Sequence, residues 1–174
     1  MSPGPNADFD VDVLYAALDA QRRSRALSWR GVVREMAGLP RNATAGGISA
    51  STLSGLRKRR AVEGDGVLQM LRWLGRTPES FVPGHPAPTR DAALPAVAPG
   101  RILRFDTRAI HAALDARRIA RCIAWSDVAR EIGGIAPACL TRLSKGGRTG
   151  FPHVMRIVRW LGRPAASFTR ASLR

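Results

Sequence analysis

One chain segment occurs twice in this protein, and that constrains its fold more than any single residue does. FDVDVLYAALDA, beginning at Phe9, returns as FDTRAIHAALDA at Phe105, and LRWLGRTPESF, ending at Phe81, returns as VRWLGRPAASF, ending at Phe168. From Phe9 to Glu35 the second copy follows at a constant offset of 96, and from Leu53 onward the offset is 87, so the first copy carries nine extra residues between them. Each copy is long enough to build a small core, which makes the repeats domains rather than solenoid units. The chain of 174 residues then divides into two units of roughly 75 residues. The boundaries fall at residues 9–82 and 105–170, with a linker over 83–104.

Apolar periodicity predicts helices. Val11, Leu14, Tyr15 and Leu18 are spaced i, i+3, i+4, i+7, one face of a helix. Asp8, Asp10 and Asp12 put negative charge at its start, where the helix dipole favours it. Ser28 is placed to cap a second helix carrying Trp29, Val32, Val33 and Met36, which Gly38 ends. Leu53 and Leu56 predict a short third helix with Ser49 and Ser51 near its start, and Val67, Met70, Leu71 and Leu74 a fourth. Thr77-Pro78 opens a last turn that leads into Phe81. The second copy repeats the pattern, and no stretch alternates long enough to predict a strand. The expected class is all-α: two tandem domains of four to five helices each. The linker holds Pro83, Pro86, Pro88, Pro95 and Pro99, and as extended chain it would reach about 60 Å, or average about 25 Å as coil.

The chain carries 28 basic and 13 acidic side chains, a formal charge of +15, with a pI near 11.7. The balance is +4 over residues 1–82, +2 over 83–104 and +9 over 105–174. Such a charge points to a polyanionic partner. No apolar run approaches the roughly 20 residues needed to span a bilayer, so no membrane is expected as partner, and a cytoplasmic, nucleoid-associated location is. Cys122 and Cys139 read as reduced thiols. They and His85, His111 and His153 lack metal-ligand spacing. With no glycine-rich phosphate loop and no nucleophile beside a base, no metal, cofactor or catalytic site is expected. The paired tryptophans Trp29, Trp125, Trp73 and Trp160 read as core.

In WSDVAREIGGIAPACLTRL (residues 125–143) the small Ala129 lies on the inner face of one helix, glycine follows at Gly133, and Leu140 and Leu143 anchor the next. With the downstream KGGR and RWLG, this segment resembles the phage-repressor-like (XRE-type) helix-turn-helix family, and the resemblance spans each repeat nearly end to end. The second copy has one extra turn residue at Gly133-Gly134 and opens its reading helix with Ala-Pro-Ala-Cys, without an adenine-reading amide. The first copy inserts LPRNATAGG over residues 39–47 and places Gly55 in its reading helix. The resemblance implies a double-stranded DNA-binding regulator. Its second reading helix would present Ala138, Thr141 and Arg142, with Lys145 and Arg148 near the backbone. Arg142 is the base-reading candidate, since its fork fits guanine. The first copy would offer Ser51, Thr52, Ser54 and Gly55, then Arg57, Lys58, Arg59 and Arg60 as a phosphate grip. Two joined modules can cover two adjacent major-groove half-sites, and a homodimer of the chain would cover a longer site. Two alternatives stay open at this point: a protein-interaction module, such as an antitoxin or adaptor, and a sequence-neutral nucleoid-type binder.

Overall fold

The computed structural model describes residues 9–38, 48–58, 62–85 and 92–173. Asp8 and the insertion at 39–47 lie outside them. The described residues form eight α-helices and two short strands. In the first repeat these are α1 (Val11–Ser24), α2 (Trp29–Ala37), α3 (Ala50–Ser54) and α4 (Gly64–Leu74). The strand β1 (Arg101–Phe105) precedes the second repeat, α5 (Thr107–Ala120), α6 (Trp125–Ile132), α7 (Pro137–Arg142) and α8 (Phe151–Leu161), and β2 (Thr169–Leu173) follows it. One-turn 3-10 helices follow the third and fourth helices of each repeat, at Leu56–Lys58, Pro78–Phe81, Leu143–Lys145 and Ala165–Phe168.

Local chemistry sets the ends. Asp10 accepts the Val13 N–H at 2.9 Å and its twin Asp106 that of Ala109 at 3.0 Å, capping the first helix of each repeat. Ser28 caps α2 through the Gly31 N–H at 3.1 Å. At the matching place Ala124 has no acceptor, and Asp127 reaches back to the Ala124 N–H at 3.0 Å instead. That bond, then the one from Arg130, holds the Asp127 carboxyl below its ordinary range. Gly133 and Gly134 both take positive φ (75° and 65°), a path through which side-chain-bearing residues are strained. The extra turn residue is accommodated there.

The mostly helical class holds, and the absence of strands does not. β1 pairs antiparallel with β2 from Arg101↔Leu173 to Phe105↔Thr169. Residues 101–104, expected in an extended linker, thus belong to a sheet, with Ile102 and Leu103 buried. Upstream, Ala92 is buried and Leu94 and Val97 pack on the core. Prolines stop at Pro99, so nothing denies residues 101–105 their ladder hydrogen bonds.

One cluster of buried side chains runs through both repeats, and their meeting is a pseudo-twofold. Glu63 and Gly150, equivalent at the offset of 87, form an antiparallel bridge. Around it the Gly64 N–H donates to the Thr149 carbonyl (2.9 Å) and the Phe151 N–H to the Val62 carbonyl (3.0 Å), each bond the image of the other. The equivalent helices α4 and α8 touch, as do the turns Pro78–Phe81 and Ala165–Phe168. Reciprocal contact of equivalent residues defines an isologous interface, here within one chain. Phe9 packs on Phe151 with ring centroids 4.6 Å apart and the rings tilted by 58°. Its image is Phe105 against Gly64, where an added Cβ would meet the ring at 2.8 Å.

Candidate nucleic-acid interface

Both third helices hang on two leucines. Leu53 and Leu56, and Leu140 and Leu143, are buried, which turns the other flank of each segment outward. Ser51, Ser54, Arg57 and Lys58 are exposed in the first repeat, with Thr52 half-buried, and Ala138, Thr141, Arg142, Lys145 and Arg148 are exposed in the second. Arg59 and Arg60 lie outside the described residues. Gly55 does not sit within α3, as expected, but ends it as the C-cap, and the chain resumes as the 3-10 turn.

The hydroxyls expected to touch a partner are engaged locally. Ser49 caps α3 through the Thr52 N–H at 3.0 Å, and its Oγ lies 2.8 Å from both Ser51 Oγ and Thr52 Oγ1. Thr141 donates to the Ala138 carbonyl at 3.2 Å. The cations differ more. Arg57 pairs with Asp12 at 2.8 Å, a hydrogen bond that holds its guanidinium above its ordinary pKa. Arg148 pairs across the pseudo-twofold with Glu63 at 3.1 Å. Among the described residues Lys58, Arg142 and Lys145 form no ion pair.

Arg108 is a contributor that the spacing of motifs did not reveal. It replaces Asp12 in the second repeat, and its Nη2 donates to the Lys145 carbonyl at 3.4 Å while its chain packs over Gly146. A negative charge beside one loop becomes a positive one beside the other. The signal was present in the alignment of the repeats, at the first turn of the first helix. Arg142, Lys145 and Arg148 border a cleft of about 260 Å3 that also includes His153. Burial, then Arg156, lowers the His153 pKa from 6.5, so the cleft's charge at neutral pH comes from its arginines and lysine.

The tryptophans sit at the core's edge rather than inside it. Trp29 packs on Tyr15 (5.7 Å) and Trp125 stacks on His111 (5.1 Å). Trp73 and Trp160 donate their indole N–H to Glu35 (2.8 Å) and Glu131 (2.9 Å), which also pair with Arg25 and Arg121. Cys122 is exposed and Cys139 half-buried, both free thiols. No helix among the described residues is long and apolar enough to cross a membrane. Comparison with protein-family models, with curated proteins and with solved structures finds no match to this chain.

Proposed function

We propose that this protein is a double-stranded DNA-binding transcriptional regulator of the phage-repressor-like helix-turn-helix type, in which α3 and α7 engage adjacent major-groove half-sites. The observation that carries the reading is the pseudo-twofold through Glu63 and Gly150. The segments 50–58 and 137–145, equivalent at the offset of 87, are related by it, as two half-sites are related by the dyad of duplex DNA. The basic charge at these segments, from Arg142, Lys145, Arg108 and Lys58, supports a phosphate-rich partner.

The test is fluorescence anisotropy on duplexes selected from a random pool. Six or more phosphate contacts predict a fall in affinity of about 10³-fold or more between 50 and 200 mM salt. A flat response overturns the reading. Equal affinity for selected and random duplexes favours a sequence-neutral binder instead. A protein-interaction module is the second reading, favoured by the neutralisation of Arg57 by Asp12 and of Arg148 by Glu63. It predicts a stoichiometric protein complex together with the flat salt response.

A further inference from the structure

The two repeats place their third helices by different means. In the first, Ser49 caps α3 by accepting the Thr52 N–H at 3.0 Å. Its twin Ala136 has no side-chain acceptor for the start of α7, a helix of only six residues, too short to be stable by itself. The turn that leads into α7 holds two adjacent glycines, Gly133 and Gly134, both at positive φ, and glycine is the residue type with the most backbone freedom to lose on ordering. Between them and Leu140 only Ile135 is buried. Neither the cap nor the turn residues account for a fixed direction of α7.

The fourth helix supplies the tie. Arg156 of α8 is half-buried and donates through Nη1 to the Gly133 carbonyl at 3.1 Å. Its guanidinium lies so close along Gly134 that an added Cβ there would coincide with Nη1 and come within 2.6 Å of Cζ, so a side chain at residue 134 would displace it. A hydrogen bond from a charged, planar donor is stronger and stiffer than a neutral one. The twin of Arg156 in the first repeat is Gln69, whose amide donates within its own helix to the Asp65 carbonyl at 3.4 Å. The two fourth helices are otherwise alike, with Val67, Met70 and Leu71 buried in α4 and Val154, Ile157 and Val158 in α8. The exchange of glutamine for arginine therefore concerns the turn rather than the core: the capped reading helix goes with glutamine, the uncapped one with arginine.

We propose that Arg156 is a positioning residue for sequence reading: it ties the α6–α7 turn to α8 and so fixes the direction in which α7 presents Ala138, Thr141 and Arg142 to a duplex. This rests on the DNA-binding reading and assigns selectivity to a residue outside the reading helix. The experiment measures the full chain and Arg156→Gln, the side chain of the first repeat, on a selected and on a random-sequence duplex by fluorescence anisotropy over a range of salt. The preference for the selected duplex should fall about fivefold or more, the equivalent of about one base contact, while affinity for the random duplex and the salt slope stay as in the wild type. Arg156→Lys, which keeps the charge and one donor but not the fork, should lose less of the preference, though about twofold or more. If Arg156→Gln melts early by circular dichroism, the lysine variant decides. Amide hydrogen exchange reads the tie without DNA: residues 135–143 should exchange about tenfold faster in Arg156→Gln, with residues 151–161 unchanged. Equal loss on both duplexes with a salt slope lower by about one marks Arg156 as a phosphate contact and overturns the proposal. So does an unchanged preference, whatever the Tm, or unchanged exchange over residues 135–143. Each of these leaves the DNA-binding reading intact. A wild-type chain that binds both duplexes alike removes the proposal but not DNA binding, and one without salt-dependent binding to either removes both.

Discussion

Asp12 and Arg108 occupy the same place in the two repeats and do opposite things. Asp12 neutralises Arg57, whereas Arg108 adds charge beside Lys145. In the second repeat Arg142 and Lys145 form no ion pair, and the proposed function gives them different roles. Arg142→Ala should relax preference at one base position by about 1 to 3 kcal/mol, while Lys145→Ala should weaken all sequences alike. Binding of single-base variants of a selected duplex checks both. A different titration is expected at Glu131. The Arg121 guanidinium, then the Trp160 N–H, holds its carboxyl at about 2 instead of 4.5. A carboxylate depressed on folding stabilises above its unfolded pKa and loses that contribution as pH falls through the folded value. The Tm of the wild type should thus drop more steeply between pH 4.5 and 2 than that of Glu131→Gln. Parallel curves would remove Glu131 from the acid response.

At the level of elements, the join between α4 and β1 is the most sensitive. Gly64 leaves room for Phe105, and Asp65 accepts the Phe105 N–H at 3.0 Å and pairs with Arg104 at 3.1 Å. Gly64→Ala should cost about 1 to 3 kcal/mol, because the new Cβ meets a ring and the Thr149 carbonyl rather than a flexible chain end. Urea denaturation measures it, and Gly66→Ala, with only Ile48 Cδ1 at 3.9 Å, is the comparison. Much of the helical pattern was legible: Leu14, Leu18, Val32, Val33, Leu53 and Leu56 follow helical spacing and are buried. β1 was not, since Ile102 and Leu103 are both covered and leave no alternation in so short a run. The Glu63–Arg148 pair spans 85 positions, a separation at which local pattern is silent. Nor could spacing tell that Ser51 and Thr52 turn to the Ser49 hydroxyl, because capping and contact use the same residue types.

For the whole molecule, the shared core replaces independent modules. Phe9 of one repeat rests on Phe151 of the other, and buried Glu79 accepts the Ala165 N–H across the interface at 2.8 Å. Severing the chain between residues 85 and 92 should give fragments that are poorly folded alone, with apolar surface exposed, and that reassociate one to one. Analytical ultracentrifugation and circular dichroism of each fragment and of the mixture check this, and two monomeric, cooperatively melting halves would refute it. The covalent pseudo-twofold also bears on dosage. A repressor that assembles from separate subunits becomes active with the square of its concentration when dilute, and falls silent below its dissociation constant. On the proposed DNA-binding reading both halves arrive together, so occupancy of a single site by one chain would rise with the first power of its concentration.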